Sequence, residues 1–307
     1  MNVIPKYSFV IPTYRRPDTL ELCLEHIAEL DNDPSLLEVI VVDNGAENNS
    51  AFLAEKFRGR LNLTYRVNER NQGPGYSHAR GVAESRGQRI VIMNDDALVP
   101  RDFLRACDSD LDADPCIGCL GFRALENAYC VDGNTIGRIT PTGQVLGNFV
   151  LDCGKPIEVE HIYGFCYLIT RATLEQSAKY DRILLTKHYA SGDRLETDHC
   201  LSIRRRGFKV VYDPRIMVQH LAKPRLDYKE RSLRWRLNHI RNTLYLFLKH
   251  YGVFGKRGVA VRYALTHDLG IRSAFRWPTY ANWAYFLTGL RARVSAFGHY
   301  VLYLASL

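Results

Sequence analysis

Apolar and polar positions alternate along the first hundred residues in a regular order. Tyr7 to Pro12 is a compact apolar run that reads as a buried strand, and after Pro17 the residues Leu20, Leu24, Ile27 and Leu30 recur at helical spacing. Leu37 to Val42 is a second strand, closed by the turn signal Asp43-Asn44-Gly45, and it is followed by a short helix from about Ser50 to Phe57 and a third strand from Asn62 to Val67. The glycine-rich turn Gln72-Gly73-Pro74-Gly75 leads into a helix from about Tyr76 to Arg86, and Arg89 to Met93 is a fourth strand ending in Asn94-Asp95-Asp96. This βαβαβαβ order predicts an α/β fold with a mostly parallel, Rossmann-like sheet and helices on both faces. Ligands of such sheets bind beyond the carboxyl ends of the strands, and Thr13, Tyr14, Asp43 and Asn94 to Asp96 stand at those ends.

The second half is patterned differently. Cys116 to Ile169 is strand-like but irregular and rich in Gly and Thr, and reads as the second half of the same fold. Leu195 to Arg206 looks helical, Lys209 to Tyr212 is a short strand, and Val218 to His220 ends another. After Pro224 the residues Leu233, Leu237, Ile240, Leu244, Phe247 and Tyr251 recur every three or four positions, which predicts one long amphipathic helix. Two apolar stretches, Asn282 to Leu290 and Val294 to Leu307, are separated by Arg291 and Arg293, and each is too short to cross a bilayer of about 30 Å.

Composition narrows the class. With 46% hydrophobic and 24% charged residues the chain is globular, neither disordered nor collagen-like. The net charge of +8 is unevenly placed: residues 223–307 carry 15 Lys/Arg against 3 Asp/Glu, whereas residues 1–222 carry 26 against 30. A basic, aromatic-rich tail suits an anionic membrane surface or a nucleic acid, while a slightly acidic body with carboxylates in loops suits a metal-dependent enzyme. Eight cysteines without the density of a stapled domain read as reduced thiols, and Cys116, Cys119, Cys130 and Cys153 lack the second short-spaced pair of a zinc site. No charged-then-apolar leader opens the sequence, so a cytoplasmic protein is expected, peripheral at the inner face of the cell membrane if the tail binds lipid.

The motifs, taken together, resemble family 2 glycosyltransferases of the GT-A fold, particularly the rhamnosyltransferase-like enzymes of bacterial surface polysaccharide synthesis. The pieces occur in the family's order: Phe9-Val10-Ile11-Pro12-Thr13-Tyr14, Val41-Val42-Asp43-Asn44, Asn71-Gln72-Gly73, Ile92-Met93-Asn94-Asp95-Asp96 with Val99-Pro100, Gly164-Phe165 to Arg171, Glu196-Thr197-Asp198, and Val218-Gln219-His220. The likeness runs from residue 7 to about 220, with part of the Arg241-Asn242 helix. It implies a catalytic domain over residues 1–222, divided into a nucleotide-sugar-binding half (1–100) and an acceptor-side half (101–222), with a basic helical C-terminal extension over 223–307.

The same resemblance assigns roles. Asn94-Asp95-Asp96 matches the Asn-x-Asp variant of the family's acidic element. A donor diphosphate needs a hard divalent cation, Mn²⁺ or Mg²⁺, and such an ion takes carboxylate oxygen, which makes Asp96 the expected direct ligand. Asn94 is neutral, so it is expected on the sugar or a metal-bound water. The resemblance implies His220 as a further metal ligand, against the alternative of a packed core histidine. It places Asp43 on the nucleotide base with Pro12, Thr13 and Tyr14 lining the same pocket, a carboxylate accepting from a ring N–H and a Tyr face stacking the base. Gly73 and Asp95 join this donor-binding group, and Arg80 is a candidate for a phosphate, or else an ordinary helical arginine.

Inverting transfer needs one general base to take the acceptor hydroxyl's proton, and Glu196 and Asp198 are the candidates. Two positions apart on a helix, they point about 200° away from one another, so one of them is expected to be structural. Counting back from Arg206-Gly207 to the family's Glu-Asp-x-Asp pattern puts Glu196 at the base position, while Leu195 and Ser202 depart from that pattern and leave Asp198 open. The expected activity is transfer of a sugar from a nucleotide-diphosphate donor to a saccharide or polyprenyl-linked saccharide. The alternatives are a catalytically weakened nucleotide-sugar-binding homologue and a basic nucleic-acid-binding protein. A homo-oligomer through the tail is the alternative to membrane contact.

Overall fold

A computed structural model describes residues 4–45, 50–126, 133–177, 180–185, 194–221, 232–268, 271–277 and 279–307. In chain order its elements are β1 (Tyr7–Thr13), α1 (Pro17–Ala28), β2 (Leu37–Asp43), α2 (Phe52–Lys56), β3 (Leu63–Val67), α3 (Pro74–Glu84), β4 (Arg89–Met93), β5 (Ala97–Leu98), α4 (Phe103–Ala113), β6 (Ile117–Leu125), β7 (Arg138–Ile139), β8 (Val145–Leu146), β9 (Ile157–Glu158), β10 (Cys166–Thr170), α5 (Arg171–Ser177), α6 (Leu195–Arg205), β11 (Lys209–His220), α7 (Leu233–Tyr251), α8 (Gly255–Thr266), α9 (Ile271–Arg276) and α10 (Tyr280–Leu304).

The main sheet has the order β3-β2-β1-β4-β10-β6-β11-β5, with β9 added on β11, and β7 and β8 form a separate hairpin. Strands β3, β2, β1 and β4 are parallel; β10 runs antiparallel between β4 and β6, and β11 lies parallel to β6. Register brings the strand ends level, Thr13 opposite Asp43 and Val10 opposite Ile92, so whatever follows the strands gathers in one place. The apolar runs of β1, β2 and β4 lack a polar face because both faces are covered. Phe9, Ile11 and Val91 pack with Leu24 of α1 and Phe103 of α4, while Val10 and Ile92 pack on the other side with Val82 of α3 and Ile203 of α6.

The first four strands and the helices α1, α2, α3, α6 and α7 fall where the hydrophobic pattern places them. Helix α4 lies between the fourth strand and Cys116, where the pattern named no element, and the two short strands expected at Lys209–Tyr212 and Val218–His220 are one strand, β11, whose pairing with β6 shifts register between Asp213 and Met217. An irregularity of this kind breaks the period of two in the sequence without ending the strand. Likewise Arg291 and Arg293 do not interrupt α10: Arg293 is buried and donates to the carbonyls of Ala264 and Gly289 at 2.8 Å and to that of His267. A third core joins Leu195 and Leu201 of α6 to Ile240, Leu244 and Phe247 of α7, Val259 of α8, and Ala292 and Ala296 of α10. Among the described residues no helix is long and apolar enough to cross a membrane.

Candidate active site

At the level ends of β1, β2 and β4 a cleft of about 300 Å³ is lined by Pro12, Thr13, Tyr14, Arg16, Asn44, Pro74, Asn94, Asp95 and Asp96. Its walls follow from local chain geometry. Gly73 has φ 88°, a conformation a side chain would strain, and Pro74 at the first helical position then opens α3 toward the cleft. Arg15 is left-handed at φ 54° and turns the chain at the end of β1, and Arg16 beyond it reaches the carboxylates of Asp95 and Asp96. Asn44 holds the turn together: its amide donates to the Gly73 carbonyl at 3.2 Å and its oxygen accepts from Asn68 Nδ2 at 2.9 Å. Arg80 lies behind this wall, where its guanidinium donates to Asn68 Oδ1 at 2.6 Å and to the Val67 carbonyl at 2.8 Å. Asp43 is buried at the end of β2, accepting from the Gly45 N–H at 2.7 Å and from the Tyr65 hydroxyl.

The two aspartates differ in environment. Asp95 accepts from the Thr13 hydroxyl at 2.8 Å and from Arg16, yet burial dominates and pushes its carboxyl up to about 6. For Asp96 burial acts in the same direction, but the His220 imidazole and Arg16 outweigh it and hold the carboxyl below its ordinary range. Arg16 takes Asp96 Oδ2 at 2.9 Å, whereas Oδ1 is buried without a hydrogen-bond partner, 3.5 Å from His220 Nε2. That separation is electrostatic contact rather than a hydrogen bond. On its other side His220 Nδ1 lies 3.1 Å from Glu126 Oε2, which also accepts from the Tyr163 hydroxyl at 3.2 Å.

A carboxylate only accepts, so the Glu126 contact places an imidazole proton on Nδ1. Against its burial, Asp96 and Glu126 raise the imidazole above its ordinary value; in the neutral form, with the proton on Nδ1, the Nε2 lone pair would face the Asp96 oxygen that lacks a hydrogen-bond partner. This arrangement fits a divalent cation, with Glu126 orienting the imidazole from behind as carboxylates do for metal-bound histidines. No cluster of three or more His, Cys, Asp or Glu side chains suited to a metal occurs among the described residues, so the fit is to an ion completed by other oxygens.

Helix α6 brings Glu196 and Asp198 to opposite environments. Asp198 is buried against α7, within 2.8 Å of Lys249 and 2.7 Å of His250. These partners overcome the burial that would raise it and lower its carboxyl to about 2. Glu196 is half-buried and takes no bond from another side chain among the described residues; burial raises its carboxyl above the usual glutamate range against the opposing charge of Arg194. It lies over Gly164, where an added Cβ would come within 3.2 Å of its side chain, and the next residue, Phe165, accepts the Asn94 N–H at 2.7 Å. Its neighbour Leu195 packs on Gly75, beside the cleft-lining Pro74. Glu196 thus stands two steps from the cleft-lining Asn94 and Pro74, whereas Asp198 is tied to α7.

The glycosyl transferase family 2 model matches residues 8–177, more than half of the chain and every residue that lines the cleft. The chain belongs to that family. Among curated relatives of this family 2 glycosyltransferase, the poly(ribitol-phosphate) beta-N-acetylglucosaminyltransferase TarS of Staphylococcus aureus (strain MW2) is 26% identical over 35% of this chain and 19% of its own length. The succinoglycan biosynthesis protein ExoO of Rhizobium meliloti is 31% identical over 37% of this chain and 32% of its own, and the glycosyltransferase AglE of Haloferax volcanii 26% over 34% of each. The matched region thus spans about a third or less of these relatives. Among solved structures, S. aureus TarS residues 1–349 with UDP-GlcNAc superposes with a TM-score of 0.61 at 12% identity, covering 95% of this chain and 81% of that one. The mannosyltransferase PcManGT of Pyrobaculum calidifontis with GDP-Man and Mn²⁺ gives 0.58 at 20% identity, covering 99% and 79%. The fold is GT-A, as the motif order implies.

In this family member the structure gathers Pro12, Thr13, Tyr14, Asn94, Asp95 and Asp96 around one cleft, sets His220 against Asp96, and keeps Asp43, Gly73 and Arg80 behind its lining, with Glu196 outside the lining residues. Sequence reasoning missed Arg16, Glu126, Lys249 and His250. Arg16 had one signal, an Arg pair directly after a strand-end Thr-Tyr, but no rule separates it from Arg15. The other three act across 94, 51 and 52 residues, a distance at which no local pattern speaks. Of the four cysteines weighed for zinc, Cys116 is exposed and Cys119 buried, and Cys130 lies outside the described residues.

Proposed function

We propose that this family member is an inverting, divalent-metal-dependent glycosyltransferase that moves a sugar from a nucleoside-diphosphate donor to a saccharide or lipid-linked saccharide. The observation that carries the reading is the orphaned Asp96 Oδ1, on a residue that lines the cleft, facing His220 Nε2 across 3.5 Å. Asp96 and His220 would hold Mn²⁺ or Mg²⁺, which supplies charge neutralisation for the departing diphosphate. Pro12, Thr13, Tyr14 and Asp43 bind the nucleoside, Asn94 and the Gly73 turn face the donor, and Asp95 is kept in register by Thr13 and Arg16. Glu196, near the cleft, without a side-chain partner among the described residues and with a raised carboxyl, takes the acceptor proton as the new glycosidic bond forms. The bound nucleotide sugars of the TarS and PcManGT structures support a donor of this class.

Arg16 supports a second reading, in which its guanidinium, already on Asp95 and Asp96, neutralises the diphosphate without metal. Calorimetry with UDP, GDP and thymidine diphosphate, with Mn²⁺ or with a chelator, separates the two. The first reading expects one nucleotide to bind at least tenfold tighter with Mn²⁺, and Asp96→Ala to abolish both that gain and transfer. Equal affinity in chelator, with Asp96→Ala retaining activity, sinks it.

A further inference from the structure

The C-terminal helices leave a large apolar surface uncovered. On α10 the residues Gly289, Ala292, Arg293 and Ala296 are buried against the rest of the protein. On the outer side Leu287, Leu290, Val294, Phe297, Val301 and Leu304 follow one another at alternating spacings of three and four, and each is at least 40% exposed. Residues so spaced share one side of a helix, so these six form a continuous stripe along most of α10. Trp277, 65% exposed, and Tyr280, 91% exposed, stand at its start. A contiguous apolar surface of this extent on a folded chain marks a place where something docks.

Charge decides what docks. From Ser232 to Leu307 there is one acidic side chain, Asp268, and it is taken up by Arg236 at 2.8 Å and Tyr285 at 2.6 Å. Arg257, Arg262, Arg276 and Arg291 are exposed on the same helices. Arg291 is the exposed charge of α10 itself, four residues after Leu287 and three before Val294, hence at the edge of the stripe. A second copy would have to meet this stripe with its own, under two-fold symmetry. Because α10 runs from Tyr280 to Leu304, Arg291 sits beside its midpoint, so full overlap sets Arg291 against Arg291 whether the helices pair parallel or antiparallel. No acidic side chain on α10 separates those charges. An anionic bilayer surface meets the same requirements without conflict: its interface takes the apolar side chains, accommodates Trp and Tyr at head-group level, and attracts the arginines.

We infer that α10 lies flat on an anionic membrane surface with the Leu287 to Leu304 stripe immersed. The α6 helix that carries Glu196 shares a core with α10 through Leu195, Leu201, Ala292 and Ala296, so docking holds the acceptor side of the cleft in a fixed relation to the lipid surface. This consequence rests on the glycosyltransferase reading; the docking itself does not.

The test is flotation of the full chain with vesicles of phosphatidylcholine alone or with roughly a third phosphatidylglycerol. The anionic vesicles should bind at least tenfold tighter than the neutral ones, and progressively less as salt rises. Combined Val294→Asp and Val301→Asp, both on the exposed stripe, should weaken binding at least tenfold with an unchanged unfolding temperature, and Arg291→Glu should weaken it about tenfold on anionic vesicles only. Absence of binding by the full chain, equal binding by the doubly substituted chain, or a salt-independent affinity would overturn the proposal. So would sedimentation equilibrium showing a dimer that the double substitution splits while no vesicles bind, since a second copy would then be the occupant. Nucleotide binding measured on the same samples reports separately on the active site.

Discussion

Glu196 and Asp198 share a turn of helix and differ in everything that governs a carboxylate. Replacing Glu196 by Gln preserves shape and removes the proton acceptor, so turnover should fall by about two to four orders of magnitude with nucleotide affinity intact, as steady-state kinetics and calorimetry would show. Loss of donor binding with turnover unaffected would contradict its role as base. Asp198 is held by Lys249 and His250, and Asp198→Asn leaves that buried lysine with Asp181, at 2.8 Å, as its one carboxylate among the described residues. A destabilisation of about 3 kcal/mol in urea is expected from breaking a buried pair. Its pH dependence has a defined sign. The folded carboxyl is lowered to about 2 from an ordinary value near 3.8, so its stabilisation is complete above about pH 4 and is lost as pH falls toward 2. That component, about 2 kcal/mol by linkage, should be missing from acid unfolding of the Asn variant.

Elements meet at positions where a side chain would not fit. Gly81 on α3 faces β1, and an added Cβ would come within 2.4 Å of Val10 Cγ1. Gly81→Ala therefore forces α3 away from the sheet. About 1–3 kcal/mol of destabilisation is expected in urea unfolding, although alanine is the better helix former by about 1 kcal/mol. A stabilised variant would mean that the helix shifts freely. The same helix begins at Pro74 in the cleft, so its seating also sets the cleft wall and the network from Arg80 through Asn68 to Asn44. In α10 the two arginines behave oppositely because Ala264 and His267 supply carbonyls to Arg293 from outside the helix, whereas Arg291 is exposed.

Across the whole molecule a second carboxylate pair lies away from the cleft. Asp110 of α4 and Asp213 of β11 both accept from Arg215, at 2.6 and 2.8 Å. Burial first, and Asp213 second, push the Asp110 carboxyl up to about 7. The folded pKa here is above the unfolded one, so the stabilisation is present below about pH 4 and disappears as pH rises through 7. Asp110→Asn, which can still donate to Asp213, should be close to neutral at pH 4 and below and more stable than the parent at pH 8 by about 1–2 kcal/mol, measured by urea unfolding at both values. A constant difference between the two pH values would show that Asp110 does not carry the proton.

The apolar runs of β1, β2 and β4 and the order of the strand-end motifs were enough to determine the fold family and the cleft, because burial of a parallel sheet on both faces leaves an unmistakable local pattern and each motif is contiguous. Asn94-Asp95-Asp96 could be placed at a strand end for the same reason. Only tertiary structure decided which partners those residues meet: that Arg16 crosses to Asp95 and Asp96, that Glu126 stands behind His220, and that Asp198 rather than Glu196 is tied to Lys249 and His250. Periodicity shows that a helix has two faces but not which neighbour each one meets, and it left β11 looking like two strands and α10 looking like two short apolar segments. Those choices depend on contacts between residues far apart in the chain, where charge and shape act through space and leave no trace in local order.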